Sequence, residues 1–162
     1  MSQGSKANIT GTVLENIVTS SLNAHGFELV PAIKYAKHPD NYGSELLLRN
    51  MPYKTLYGSN GHTEFLLISE KHNLNIRIEC KWQQSAGSVD EKLPYLYLSC
   101  VEAMPEDEII ILIDGDGFRG GAKEWLKEAA TSRRYIPASN TTKIIHVFNS
   151  TEFMTWVNDT FS

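Results

Sequence analysis

The chain has 162 residues, 41% of them hydrophobic and 21% charged, with a formal net charge of −4. That length suits one domain burying about two thirds of its unfolded surface, and the ordinary composition excludes a fibrous, disordered or disulfide-dense protein. The acidic balance excludes a protein that holds nucleic acid through overall charge, so any phosphate contacts have to be local. Cys80 and Cys100 form no C-x-x-C pair, which leaves neither a disulfide framework nor a zinc site. No apolar run approaches a membrane span and the polar start MSQGSKANIT is no signal peptide, so the protein is expected in the cytoplasm.

Thr12 to Asn23 reads as an amphipathic helix with Val13, Leu14, Ile17, Val18 and Leu22 on its apolar stripe and Gly26 past its end. Thr12 and Glu15 have the spacing of a capping box, in which Glu15 returns to the backbone of Thr12. Phe27 to Val30 is a short strand, Lys34 to His38 a helical turn, and the segment 39–43 a loop. Glu45 to Arg49 fits helix or strand. Tyr53 to Asn60 ends in a turn and combines two tyrosines with Lys54, which suits base stacking and phosphate contact as well as plain strand packing.

The segment from Gly61 to Lys92 carries the chemistry. From Ile76 to Gln83 apolar and polar residues alternate strictly, so Ile76, Ile78, Cys80 and Trp82 face one way and Arg77, Glu79, Lys81 and Gln83 the other. Thr63 to Ser69 is a second strand, joined to the first by the polar turn Glu70 to Asn73. A hairpin centred on Lys71 and His72 sets Glu64 opposite Glu79, with Cβ atoms about 5 Å apart. Two carboxylates so placed can bridge one divalent cation, which removes their mutual repulsion. Lys81 then lies beside the ion, where its amine can act on a water or on a phosphate. An exposed strand also alternates Glu and Lys merely for solubility. The unbroken partner run Phe65 to Ile68 argues instead for burial on both faces, where unpaired carboxylates are costly.

Downstream, Ser88 reads as the cap of a helix with Asp90 and Glu91 in its first turn, running to about Ala103 with Pro94 inside it. Ile109 to Ile113 is a buried parallel strand, Gly120 to Ala130 a helix, and Lys143 to Phe148 a strand. Thr151 to Asp159 closes the chain as a helix with Phe153, Trp156 and Val157 inward.

Glu79-Cys80-Lys81 on the second strand of a hairpin resembles the E-x-K element of the PD-(D/E)XK nuclease superfamily, and Glu64, after Thr63, stands where that family has the Asp of its P-D pair. The polar cluster from Ser88 to Tyr95 is similar to the helix start that lies near DNA in restriction-endonuclease-like members. The resemblance covers about residues 10–115. It implies an α/β restriction-endonuclease-like core, a mixed central sheet with an antiparallel hairpin flanked by helices, and the element order fits that core. It also implies a divalent-metal-dependent endodeoxyribonuclease using magnesium, or manganese, with DNA as partner and a homodimer as a common assembly. Glu64, Glu79 and the Cys80 backbone carbonyl would hold the metal, with Glu15 from the first helix as a further candidate. Lys81 would assist the attacking water and Gln83 or Gln84 would orient substrate. The positive side chains near the hairpin, Arg49, Lys54, Arg77 and Lys92, and Arg119 beyond it, are the candidate phosphate contacts.

Two rival functions compete. One is a binding module of the same fold that recognises DNA or protein without catalysis. The other is nucleotide binding by Gly115-Asp116-Gly117-Phe118-Arg119-Gly120, which fits G-x-G-x-x-G after a strand and before a helix. Against the latter, the strand is not the first of a β-α-β series and the next one ends in Asn149-Ser150 rather than an acidic ribose ligand. A calcium loop starting at Asp114 fails, since its twelfth position is Trp125. No two of the five histidines have metal spacing, and only His62 lies beside the expected site.

Overall fold

The computed structural model describes residues 3–162, with side chains from Thr12 onward. In chain order the elements are α1 (Gln3–Asn23), β1 (Glu28–Pro31), α2 (Ala32–Lys37), a 3-10 turn at Pro39–Asn41, β2 (Glu45–Lys54), β3 (Asn60–Ser69), β4 (Leu74–Trp82), α3 (Val89–Glu102), β5 (Glu108–Asp114), α4 (Ala122–Thr131), β6 (Ile144–Phe148) and α5 (Ser150–Phe161). The strands form one mixed sheet in the order β1-β2-β3-β4-β5-β6. β2, β3 and β4 are an antiparallel meander, while β1 joins β2, β5 joins β4 and β6 joins β5 in parallel. Parallel pairs need crossovers, and α3 and α4 supply the two after β4 and β5. This is the mixed α/β architecture expected from the sequence.

The alternation in each strand decides which layer it meets. Ile76, Ile78, Cys80, Phe65, Leu67, Ile110 and Leu112 pack against Leu14, Val18 and Leu22 of α1 and Phe153 and Val157 of α5. Ile109, Ile111, Ile113, Ile145 and Val147 pack on the other face against Leu93, Leu96, Tyr97 and Cys100 of α3 and Leu126 and Ala129 of α4. A third cluster of Val30, Ala32, Leu46, Leu48 and Leu66 lies at the β1–β2 end. The run in β5 is therefore buried on both faces, as continuous apolar strands between two helical layers are.

Three local expectations are corrected. Helix α1 begins at Gln3, nine residues before Thr12, so Thr12 and Glu15 are interior to the helix and form no capping box at its start. Such a box exists at the other end of the chain, where the Asn149 side chain accepts from Glu152 N–H (2.8 Å) and the Glu152 carboxylate accepts from Asn149 N–H (3.1 Å). Ser88 precedes α3 but its side chain makes no cap hydrogen bond. The Gln83 side-chain oxygen instead accepts the Val89 N–H at 2.9 Å. Pro94 does sit inside α3, where it cannot donate to the carbonyl four residues earlier.

Arg77 is the third correction. Alternation set it on the polar face of β4 as a candidate phosphate contact, yet it is only 1% exposed and is spent on the protein's own groups. Its guanidinium makes a forked pair with Glu106 (2.5 and 2.8 Å) and donates to the carbonyls of Met51 and Pro52 and to the Thr63 hydroxyl. A buried guanidinium has to be paired and hydrogen-bonded all round. Arg77 thus ties β2 and β3 to the loop after α3, at the residue next to Glu64. Among the described residues no helix is long and apolar enough to cross a membrane.

Candidate active site

The β3–β4 register centres on Lys71 and His72 as the turn required, with Phe65 paired to Ile78 and Leu66 to Arg77. Asn73 takes up a positive φ of 53° in that turn, a conformation asparagine tolerates. Paired residues end at Phe65 and Ile78, and one step on the ladder is replaced by a side chain. The Glu64 carboxylate accepts the Cys80 N–H at 2.9 Å. Because a strand residue turns its N–H and C=O to the same side, the Cys80 carbonyl faces the same gap.

On this face Glu79 is 7% exposed. One of its oxygens, Oε1, is ion-paired to the Lys81 amine. The other, Oε2, is buried and has no hydrogen-bond partner. Burial raises the Glu79 carboxyl to about 7, the Lys81 charge opposes this, and the charge of the neighbouring Glu64 adds to it. For Lys81 burial acts downward, but the charges of Glu79 and Glu64 outweigh it and its pKa is raised, so the amine holds its proton. Burial, with the charges of Glu64, Glu79 and Glu15, pushes the Cys80 thiol well up, which makes it an inert packing group rather than a nucleophile.

A buried carboxylate oxygen without a partner beside a second carboxylate is what a hard divalent cation would satisfy, so the residues fit such an ion. Among the described residues no three His, Cys, Asp or Glu side chains gather closely enough to hold a metal together. Glu15 therefore does not complete a three-carboxylate cage, although its charge reaches Cys80 from α1. Magnesium commonly takes only one or two protein carboxylates and keeps its waters.

The antiparallel meander brings Lys54, at the end of β2, to the same end of the sheet as Lys81 and Trp82 at the end of β4. Exposed there are Lys54, which donates to Asn60 (2.5 Å), Gln84 after β4, Lys92 in the first turn of α3, and Arg119 after β5. Arg119 donates to the Gly87 carbonyl at 3.1 Å and lies 3.6 Å from Asp90. Arg49 is half-buried, its guanidinium over the Phe65 ring at 5.9 Å with a buried Nε that has no partner. His62 is exposed on β3.

Gln83 is not among the substrate-facing groups. It is 5% exposed, its amide nitrogen donates to the Gly117 carbonyl (2.8 Å), its side-chain oxygen caps α3, and its carbonyl accepts the Gly117 N–H (2.8 Å). It positions the turn behind the site and touches nothing outside the protein. The same contacts remove the nucleotide reading of the glycine run. Gly115 has a φ of 106°, and a Cβ there would overlap the Gln83 carbonyl; one on Gly117 would meet the Ser85 backbone at 2.5 Å. These two glycines admit the close approach of the chain's own β4–α3 loop, a packing reason for their presence that needs no bound nucleotide. Asp114 is likewise spent on the backbone N–H groups of Gly115 (2.8 Å) and Ser150 (3.1 Å).

Replacing Gly115 by Ala is expected to cost about 2–4 kcal/mol of stability, from left-handed backbone strain plus overlap with Gln83. Gly120→Ala, where an added Cβ meets no atom within 4 Å, should be close to neutral. Denaturant unfolding of both variants checks this, and equal stabilities would remove the packing role assigned to Gly115.

Sequence reasoning set Tyr53 and Tyr57 beside the site but missed Tyr95 as their neighbour. Burial, then the charges of Glu79 and Tyr95, raise the Tyr53 hydroxyl. Tyr95 comes from α3, so only the crossover brings it there.

Comparison with known families finds a model described as the PD-(D/E)XK nuclease superfamily domain matching residues 6–161, nearly the whole chain. No curated protein and no solved structure matches.

Proposed function

Because the chain belongs to the PD-(D/E)XK nuclease superfamily, we propose that it is a divalent-metal-dependent endodeoxyribonuclease, acting as a single domain that hydrolyses phosphodiester bonds of DNA. The observation that carries this reading is the buried, partnerless Oε2 of Glu79 beside the Glu64 carboxylate and the Lys81 amine.

Glu64, Glu79 and the Cys80 carbonyl would hold a magnesium ion, and Glu15 would act on it through water. Such an ion supplies charge neutralisation and a water of lowered pKa. Lys81, fixed by its pair with Glu79, presents its amine to the attacking water and to the developing charge on phosphate. Lys54, Lys92 and Arg119 hold flanking phosphates from the same end of the sheet, Arg49 supports them from β2, and Gln84 orients the substrate. Gln83 acts through the loop that carries Gln84.

Incubation with circular, linear and branched DNA, with magnesium and with EDTA, tests the proposal. Cleavage of circular DNA in magnesium alone is expected. DNA binding with no cleavage in magnesium or manganese would overturn it in favour of a non-catalytic module.

A further inference from the structure

Two aromatic rings lie beside the site with no role in the chemistry just described. Tyr57, in the turn between β2 and β3, is 85% exposed, although a ring of that size normally gains from burial. Its only ring neighbour among the described residues is Tyr95 of α3, itself 39% exposed, at 5.8 Å between centroids with planes 35° apart. Tyr53, at the end of β2, has its ring 5.4 Å under the guanidinium of Arg77, two residues before Glu79 on β4. The β2–β3 turn that carries Tyr57, with Tyr95 against it, therefore lies at the same end of the sheet as Lys81. Lys92 stands three residues before Tyr95 on α3, on the same helix face, and is exposed.

An exposed ring flanked by a lysine suits a nucleic-acid strand, with a base on the ring and a phosphate at the ammonium. In a duplex the base faces are covered by their neighbours. A tyrosine ring reaches one only where the strand is unpaired or ends.

We propose that Tyr57 and Tyr95 form a stacking ledge for an unpaired base, which makes the preferred substrate a DNA with a single-stranded segment next to the scissile bond. This rests on the nuclease reading above and narrows its substrate class.

The test is binding, in calcium, of a short single strand carrying 2-aminopurine and of a relaxed, covalently closed circular duplex containing the same sequence, to wild type, Tyr57→Ala, Tyr57→Phe and Tyr95→Ala. Quenching of the 2-aminopurine by wild type is expected. Tyr57→Ala and Tyr95→Ala should weaken single-strand binding by roughly 5- to 100-fold, Tyr57→Phe should keep it, and duplex binding should hardly move. Unchanged single-strand affinity and quenching in Tyr57→Ala, or an equal loss on single strand and duplex, would overturn the ledge while leaving the nuclease reading in place. A wild-type protein that binds neither DNA would overturn both.

Discussion

Replacing Lys81 by Ala is expected to lower DNA cleavage by about two to four orders of magnitude, the usual range for a lost general acid or base, with metal and DNA binding retained. The amine is bonded to Glu79 Oε1 and sits beside, not within, the gap that Glu64 and the Cys80 backbone define. Its proton is held by the field of two carboxylates. Anything that neutralises those carboxylates weakens that hold, so the amine can then exchange a proton with a water. Lys81→Arg should not restore cleavage, because a guanidinium does not release its proton and its planar fork needs a different arrangement of acceptors. Calcium-supported DNA binding measured beside magnesium-supported cleavage separates the roles. An Arg variant that cleaves near the wild-type rate would mean that Lys81 supplies positive charge alone.

Glu79→Gln is expected to remove metal binding and cleavage together, yet leave the metal-free protein at least as stable at neutral pH. The sign follows from the raised carboxyl. Its unfolded value is the ordinary one near 4.5 and its folded value about 7, so between these limits the folded state binds the extra proton. Stability from this group is full below the unfolded value and falls as pH rises through about 7, by on the order of 1–3 kcal/mol. The Gln variant cannot lose it. Thermal melts in EDTA at mildly acidic and mildly alkaline pH should therefore show a steeper decline for wild type than for Glu79→Gln. Parallel curves would place the buried charge elsewhere, and unchanged cleavage by the variant would place the catalytic centre elsewhere.

The sequence by itself determined the hairpin and which face each residue takes, because period-2 alternation excludes a slip by one residue, while the turn centred on Lys71 and His72 chose between the register seen and a slip by two that would set Glu64 beside Lys81. Glu64, Glu79 and Lys81 were therefore legible as neighbours before any coordinates. It also determined β5, whose unbroken apolar run has no place except between two helical layers. The tertiary structure alone decided what covers the polar face of β4. Arg77 looks like a solvent-facing cation from its neighbours in sequence and becomes a buried one because Glu106, 29 residues away, arrives from the loop after α3. Gln83 looks like a substrate group and becomes a clamp because Gly117 and Val89 reach its amide. The glycine run fits a nucleotide fingerprint in spacing alone, and in the fold Gly115 and Gly117 admit this chain's own backbone. Alternation and turn chemistry act between near neighbours, whereas burial of a charge or an amide depends on which distant segment closes over it.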